Sequence, residues 1–170
     1  MRTSAIRNCL VVLAAMALYA SPSESRAQEL NRVAMPNDVG MELLGKAVVY
    51  SFHYQRTVTP MLGLEAGISA LGGSGDDEST TIIFFPIGGK LYLIPKDGTI
   101  YLTGGATIVS ASVDNGPFDE DEGGTDSYGF LGMGFEFRAD SGFIFRGAAY
   151  GLIAGGGFFI WPGLTVAYAF

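Results

Sequence analysis

From about residue 38 onward the chain alternates apolar and non-apolar side chains, and the composition of the non-apolar phase is what limits the fold. Leu62, Leu64, Ala66, Ile68 and Ala70 fall on one phase and Gly63, Glu65, Gly67 and Ser69 on the other. Leu131, Met133, Phe135 and Phe137 likewise alternate with Phe130, Gly132, Gly134, Glu136 and Arg138. A period of two places the phases on opposite faces of a strand. In a soluble sandwich the outward phase is polar and the apolar phase lines one shared core. Here the apolar face is too extensive for such a core, while the other face carries Gly, Ser, Thr and charge. Lipid outside and a polar interior demand that inversion, with every backbone group paired in a closed sheet. The expected fold is all-β, a transmembrane antiparallel up-and-down β-barrel.

Repeating the alternation along the chain predicts eight strands, near 38–44, 47–57, 62–72, 81–95, 99–112, 127–139, 142–154 and 160–170. The second, fourth and sixth links, around Thr57 to Pro60, Lys96 to Gly98 and Asp140 to Gly142, are short and carry Pro or Gly. The third and fifth, GGSGDDEST and DNGPFDEDEGGTD, are long and acidic, and the seventh, GGGFFIWP, reads as a loop as well. Short turns at one rim and longer loops at the other is the barrel arrangement, with both termini on the periplasmic rim. The first link, at Gly45-Lys46, is shorter than its position in this scheme predicts.

Ahead of the strands, Arg2 and Arg7 precede an apolar run at 9–20 that is too short to span a bilayer, and Ser25-Arg26-Ala27 offers a cleavage site. Residues 1–27 are therefore expected to be a secretory signal peptide, residues 28–37 a short N-terminal segment and residues 38–170 the barrel domain. Removing the leader takes Cys9 with it, leaving no disulfide or thiolate metal site. It also removes three of ten bases and one of seventeen acids, giving 7 minus 16, or −9, a balance that argues against nucleic acid as a partner.

The last segment places Leu164, Val166, Tyr168 and Phe170 on one face and stops at an aromatic residue. It resembles the terminal strand of bacterial outer-membrane barrels, and with the leader it makes the chain similar to small barrels of the OmpA/OmpX type. The resemblance implies location in the outer membrane, contact with lipid and lipopolysaccharide, and recognition of those four residues by the barrel-assembly machinery. No particular activity transfers with it, since one fold hosts unrelated functions.

With each apolar face turned to lipid, Glu42, His53, Gln55, Glu65, Lys90, Glu136, Arg138 and Arg146 face inward. Three acids then meet three bases, and a turn centred near Ser141 makes Glu136 and Arg146 cross-strand partners. Unpaired charges in a narrow lumen are costly, so these residues are expected to form a compensated network that plugs it. A turn centred at Thr59 would set His53 against Glu65, with Ser51 on the same inward face, which raises a nucleophile, base and acid arrangement. Those residues point away from lipid and no G-x-S-x-G elbow accompanies them, so no catalysis is expected. The acidic stretch 114–126 does not follow the EF-hand ligand order, and it reads as solvated surface that divalent ions can bridge to lipopolysaccharide. The glycine runs at 88–89, 104–105 and 155–157 open no helix and read as relief of crowding or loosening of a loop.

The expectation is a monomeric outer-membrane barrel with a structural or surface-interaction role, no cofactor, no metal site and no enzymatic activity. A small passive porin is the alternative, and a lipid-modifying outer-membrane enzyme the third reading.

Overall fold

The computed structural model describes residues 31–74, 79–114 and 122–170. The expected leader at 1–27, residues 28–30 and the acidic tips at 75–78 and 115–121 lie outside the described residues. A single helical turn, α1 (Asn31–Ala34), precedes eight strands: β1 (Asn37–Leu44), β2 (Tyr50–Thr59), β3 (Leu62–Ser74), β4 (Ser79–Tyr92), β5 (Gly98–Asp114), β6 (Glu122–Arg138), β7 (Phe143–Ala154) and β8 (Gly157–Ala169). Each strand pairs with its neighbours in sequence, and β1 closes on β8 from Asp38↔Ala169 to Leu44↔Gly163. The result is a closed antiparallel barrel with no open edge at its girth, the way a sheet satisfies all its backbone groups internally.

The alternation sorts the side chains as expected. Leu131 is 62% exposed on the outer wall, whereas Glu136, five residues along the same strand, is 0% exposed inside. Phe52, Leu64, Ile87, Met133 and Val166 belong to the same outer belt.

Several links differ from their sequence reading. The third and fifth are shorter than expected, because their flanks continue the ladders to Ser74↔Ser79 and to Val113↔Glu122. Pairing of β6 with β7 stops at Gly129↔Ile153, and that of β2 with β3 at Phe52↔Ile68, so the β3–β4 and β5–β6 hairpins rise above the rim. The seventh link is a two-residue turn at Gly155-Gly156, not a loop. Both glycines have positive φ (54° and 79°), the geometry that tight hairpins require. The strand therefore resumes at Gly157, through Phe158, Phe159 and Ile160. Finally, β2 begins at Tyr50 and not at residue 47, because residues 45–47 fold as a 3-10 turn over the lumen.

The lumen is filled in layers. At the short-turn end Ile144, Ala167 and Ala169 pack with Met35. At the other end Phe130, Tyr150 and Leu152 pack with Val48, Tyr128 and Trp161. Polar and charged side chains occupy the space between. Bulky rings fit this narrow space because glycines face them: a Cβ at Gly134 would sit 2.6 Å from the Tyr101 ring and from the Gly147 carbonyl. Gly147, on the outer face, has only the Leu164 side chain within reach, at 3.8 Å. Gly134→Ala is therefore expected to destabilise the refolded barrel by about 1 to 3 kcal/mol through overpacking, and Gly147→Ala to leave it essentially unchanged. Urea unfolding followed by Trp161 fluorescence measures both.

Candidate functional site in the barrel lumen

Inward phase alone brings the chemistry-bearing residues together. The centre is a ring of four charges. Asp38 on β1 accepts from the Arg146 guanidinium at 2.8 and 3.2 Å and from Arg138 at 2.8 Å. Glu136 on β6 accepts from Arg146 Nε at 2.6 Å and from Arg138 Nε at 2.9 Å. Each acid thus holds both arginines and each arginine both acids, and all four side chains are at most 1% exposed. The forked contact between Arg146 and Asp38 is the geometry that makes such charge-assisted bonds strong.

From this ring a chain of hydrogen bonds runs toward the opposite end. The Tyr92 hydroxyl donates to Glu136 (3.1 Å), Gln55 Nε2 to Tyr92 (2.7 Å) and Lys90 Nζ to Gln55 Oε1 (2.6 Å). Lys90 also pairs with Glu65 at 2.7 Å, and Glu65 with Lys46 at 2.9 Å. Lys46 lies 3.3 Å from Glu42, whose other oxygen accepts from the Tyr150 hydroxyl at 2.6 Å. The seven residues read from the sequence as a lumen network, Glu42, His53, Glu65, Lys90, Glu136, Arg138 and Arg146, are all buried and all face inward. Glu136 and Arg146 are direct cross-strand partners.

The expected pairing of His53 with Glu65 is not found. The β2–β3 turn lies at Pro60-Met61, with Thr59 opposite Leu62, and a one-residue bulge at Val58 then sets Glu65 opposite Gln55 and His53 opposite Gly67. One extra residue in a strand re-aims every partner beyond it. His53 Nε2 instead lies 3.5 Å from Asp38 and 3.3 Å from Arg146, while the Ser51 hydroxyl has no hydrogen-bond partner. Ser51, His53 and Glu65 therefore do not form a nucleophile, base and acid relay.

Three charged residues of the network escape the sequence reading. Asp38 shares the phase of Glu42, four residues on, and that phase was its available signal. Arg32 and Lys46 carry no such signal, because they belong to segments outside the strands. Arg32 enters from α1 at the short-turn end, donating to the Lys96 carbonyl (2.8 Å), approaching Glu136 (3.4 Å) and stacking 4.1 Å over Tyr92. Lys46 comes from the first link, and its backbone carbonyl accepts from Thr107 and Tyr128 at 3.0 and 2.6 Å. The flanking residues Leu44 (φ 59°) and Val48 (φ 70°) sit in the left-handed half of backbone space, a strain of about 1 to 3 kcal/mol each that the surrounding contacts must hold.

Among the described residues no group of three or more acids, histidines or cysteines is arranged to hold a metal ion. Of the acidic stretch 114–126, residues 115–121 lie outside the described residues.

The closed eight-stranded antiparallel barrel is the fold of small outer-membrane barrels. The N-terminal β-barrel domain of Pseudomonas aeruginosa OprF is similar, with a TM-score of 0.54 at 12% identity over 80% of this chain and 96% of that one. Ail, the attachment invasion locus protein of Yersinia pestis, solved with the heparin analogue sucrose octasulfate, gives 0.54 at 11% identity over 79% and 96%. No family model and no curated protein matches the chain. At such identities the likeness is one of fold.

The ring makes a quantitative prediction. Arg146→Ala leaves two acids sharing Arg138, and Glu136→Ala leaves two arginines sharing Asp38; each is expected to destabilise the barrel by about 3 to 5 kcal/mol. The double variant retains Asp38 with Arg138, a balanced pair, and should recover part of the loss as a favourable coupling. The temperature at which the compact, fast-migrating band disappears on a detergent gel reads all three variants.

Proposed function

We propose that the chain is exported and spans the bacterial outer membrane as a monomeric, non-conducting barrel, its lumen plugged by the charged network and its role structural or exercised through surface hairpins. The observation that carries this reading is the unbroken run of buried polar contacts from Lys46 to Arg32, bounded at each end by a packed apolar layer. An eight-stranded barrel is just wide enough for its own side chains, which leaves no continuous water path. The outer belt supports membrane insertion, and lipid with lipopolysaccharide is its natural surrounding. Leu164, Val166 and Tyr168 on β8, and Phe170 just past its end, are each half or more exposed, which supports their reading by the assembly machinery.

The hairpins above the rim set the chemistry of a surface partner. No basic residue occurs between Arg56 and Lys90 or between Lys96 and Arg138, while the tips carry Asp76, Asp77, Glu78, Asp119, Glu120 and Asp121. A sulfated polyanion like the one bound to Ail would meet repulsion here. Cationic partners, or divalent ions bridging to lipopolysaccharide phosphate, suit these tips better.

Reconstituted into planar bilayers, the barrel should show no conductance steps in molar salt; regular steps would favour the passive channel. On intact cells a tag inserted at Gly123 should be labelled and one at Asp97 should not, and the reverse result would invert the orientation. Met133→Arg, halfway along the β6–β7 ladder on the outer face, is expected to destabilise the barrel in lipid by about 2 to 4 kcal/mol, a penalty that a soluble protein would not register.

A further inference from the structure

We propose that residues 45–48 form a hinged lid over the outer end of the lumen and that Lys46 is its tethered occupant, filling a cup that fits a primary ammonium group. The cup is built by Glu42 Oε2 and Glu65 Oε1, 3.3 and 2.9 Å from the Lys46 ammonium, with the face of Tyr150 5.4 Å away. The Ser51 hydroxyl, fully buried and without a partner, faces inward directly opposite Glu42 in the β1–β2 register. The charge count favours a single monovalent cation. With Lys46 removed, Glu42 and Glu65 face only Lys90, which leaves one negative charge to be matched. An ammonium suits the site because it donates three hydrogen bonds and lies well over an aromatic face.

The hinges are equally local. The hairpin stays paired up to Leu44, whose N–H donates to the Val49 carbonyl at 2.6 Å, and only the residues between them turn inward. The two strained residues, Leu44 and Val48, stand at the two ends of that inward turn. Returning both to negative φ would swing the loop outward and relieve the strain. What holds the loop down is side-chain bonding: Thr107 and Tyr128 on the Lys46 carbonyl, Trp161 Nε1 on the Val48 carbonyl at 3.0 Å, and the ammonium in its cup. Strain balanced by a few breakable bonds is the signature of a movable element, and here it guards a site whose ligand class the lid itself displays.

The leaderless chain has three lysines, which form a ladder: Lys96 exposed on a turn, Lys46 buried in the lid and Lys90 buried on a strand. The folded barrel in detergent is treated with a water-soluble acetylating ester, and each lysine is followed by mass spectrometry. Lys46 should react more slowly than Lys96 yet at least roughly tenfold faster than Lys90, because its exposure needs only local opening. Tyr128→Phe should speed Lys46 several-fold and leave Lys96 unchanged. Lys46 as inert as Lys90 in both proteins would overturn the lid. For the cup, Lys46→Ala should be stabilised saturably by ethylammonium chloride and not by tetramethylammonium chloride at equal ionic strength, with the wild type responding to neither. Equal effects of the two salts would overturn the ammonium site. Should the alanine variant not refold, Lys46→Met, which keeps the aliphatic stem, is measured in its place. These readouts do not depend on where in the cell the barrel sits.

Discussion

Charge kept inside a closed sheet ties the other features of this molecule together. Asp38, Glu136, Arg138 and Arg146 come from β1, β6 and β7, so their ring of ion pairs crosses the lumen and not merely a ladder. Buried ion pairs are weak evidence for net stability, since desolvation offsets most of their attraction. Their effect on specificity is larger. A one-residue slip of β6 or β7 would turn every inward charge onto the apolar outer wall, which fixes the register far more firmly than apolar packing alone could. The seam is fixed by the same ring, because Asp38 on β1 bonds to arginines on β6 and β7.

Width is the second constraint, and it decides where glycine goes. The inward face must hold arginines and three tyrosines, Tyr92, Tyr101 and Tyr150, in a tube barely wider than those side chains. Each ring lies over a glycine: Gly63 lies beside Tyr92, Gly134 meets Tyr101, and Gly132 and Gly163 meet Tyr150. Phe130 is accommodated in the same way by Gly88 and Gly105. Gly88 of β4 and Gly105 of β5 are thus steric relief for the Phe130 ring, whereas Gly155-Gly156 serves backbone conformation at a turn.

What the sequence makes legible follows from this geometry. Alternation reports the two faces of a strand, so the barrel, the inward set from Glu42 to Arg146 and the Glu136–Arg146 pair are all readable. A turn-centred count places Glu136 opposite Arg146 because the β6–β7 hairpin is regular. The same count misplaces Glu65 by two residues because the β2–β3 turn lies at Pro60-Met61 and not at Thr59, and the one-residue bulge at Val58 that follows is announced by nothing in the residues themselves. Link lengths are misjudged for a related reason. Residues such as Gly73, Ser74 and Ser79 read as loop by propensity, yet the ladder beside them carries them on as strand. Arg32 and Lys46 are beyond reach of any periodicity, since segments between or before strands carry no phase.

Their recruitment nevertheless has an electrostatic reason. The strands alone contribute four inward acids, Asp38, Glu42, Glu65 and Glu136, against three inward bases, Lys90, Arg138 and Arg146. Leaving His53 aside, the wall is a tube of net charge 3 minus 4, or −1, in a space with little water to screen it. Such a tube draws cations from whatever chain is tethered near its mouths. Lys46 enters at one mouth and brings the count to zero. Arg32 enters at the other and brings it to +1, which fits its different mode of binding: a backbone carbonyl, the face of Tyr92 and a long contact to an acid already held by two arginines, with its Nε and Nη1 unpartnered. The two inserted residues are therefore not equivalent. Lys46 completes the charge balance of the lumen, and Arg32 adds to a network already balanced without it.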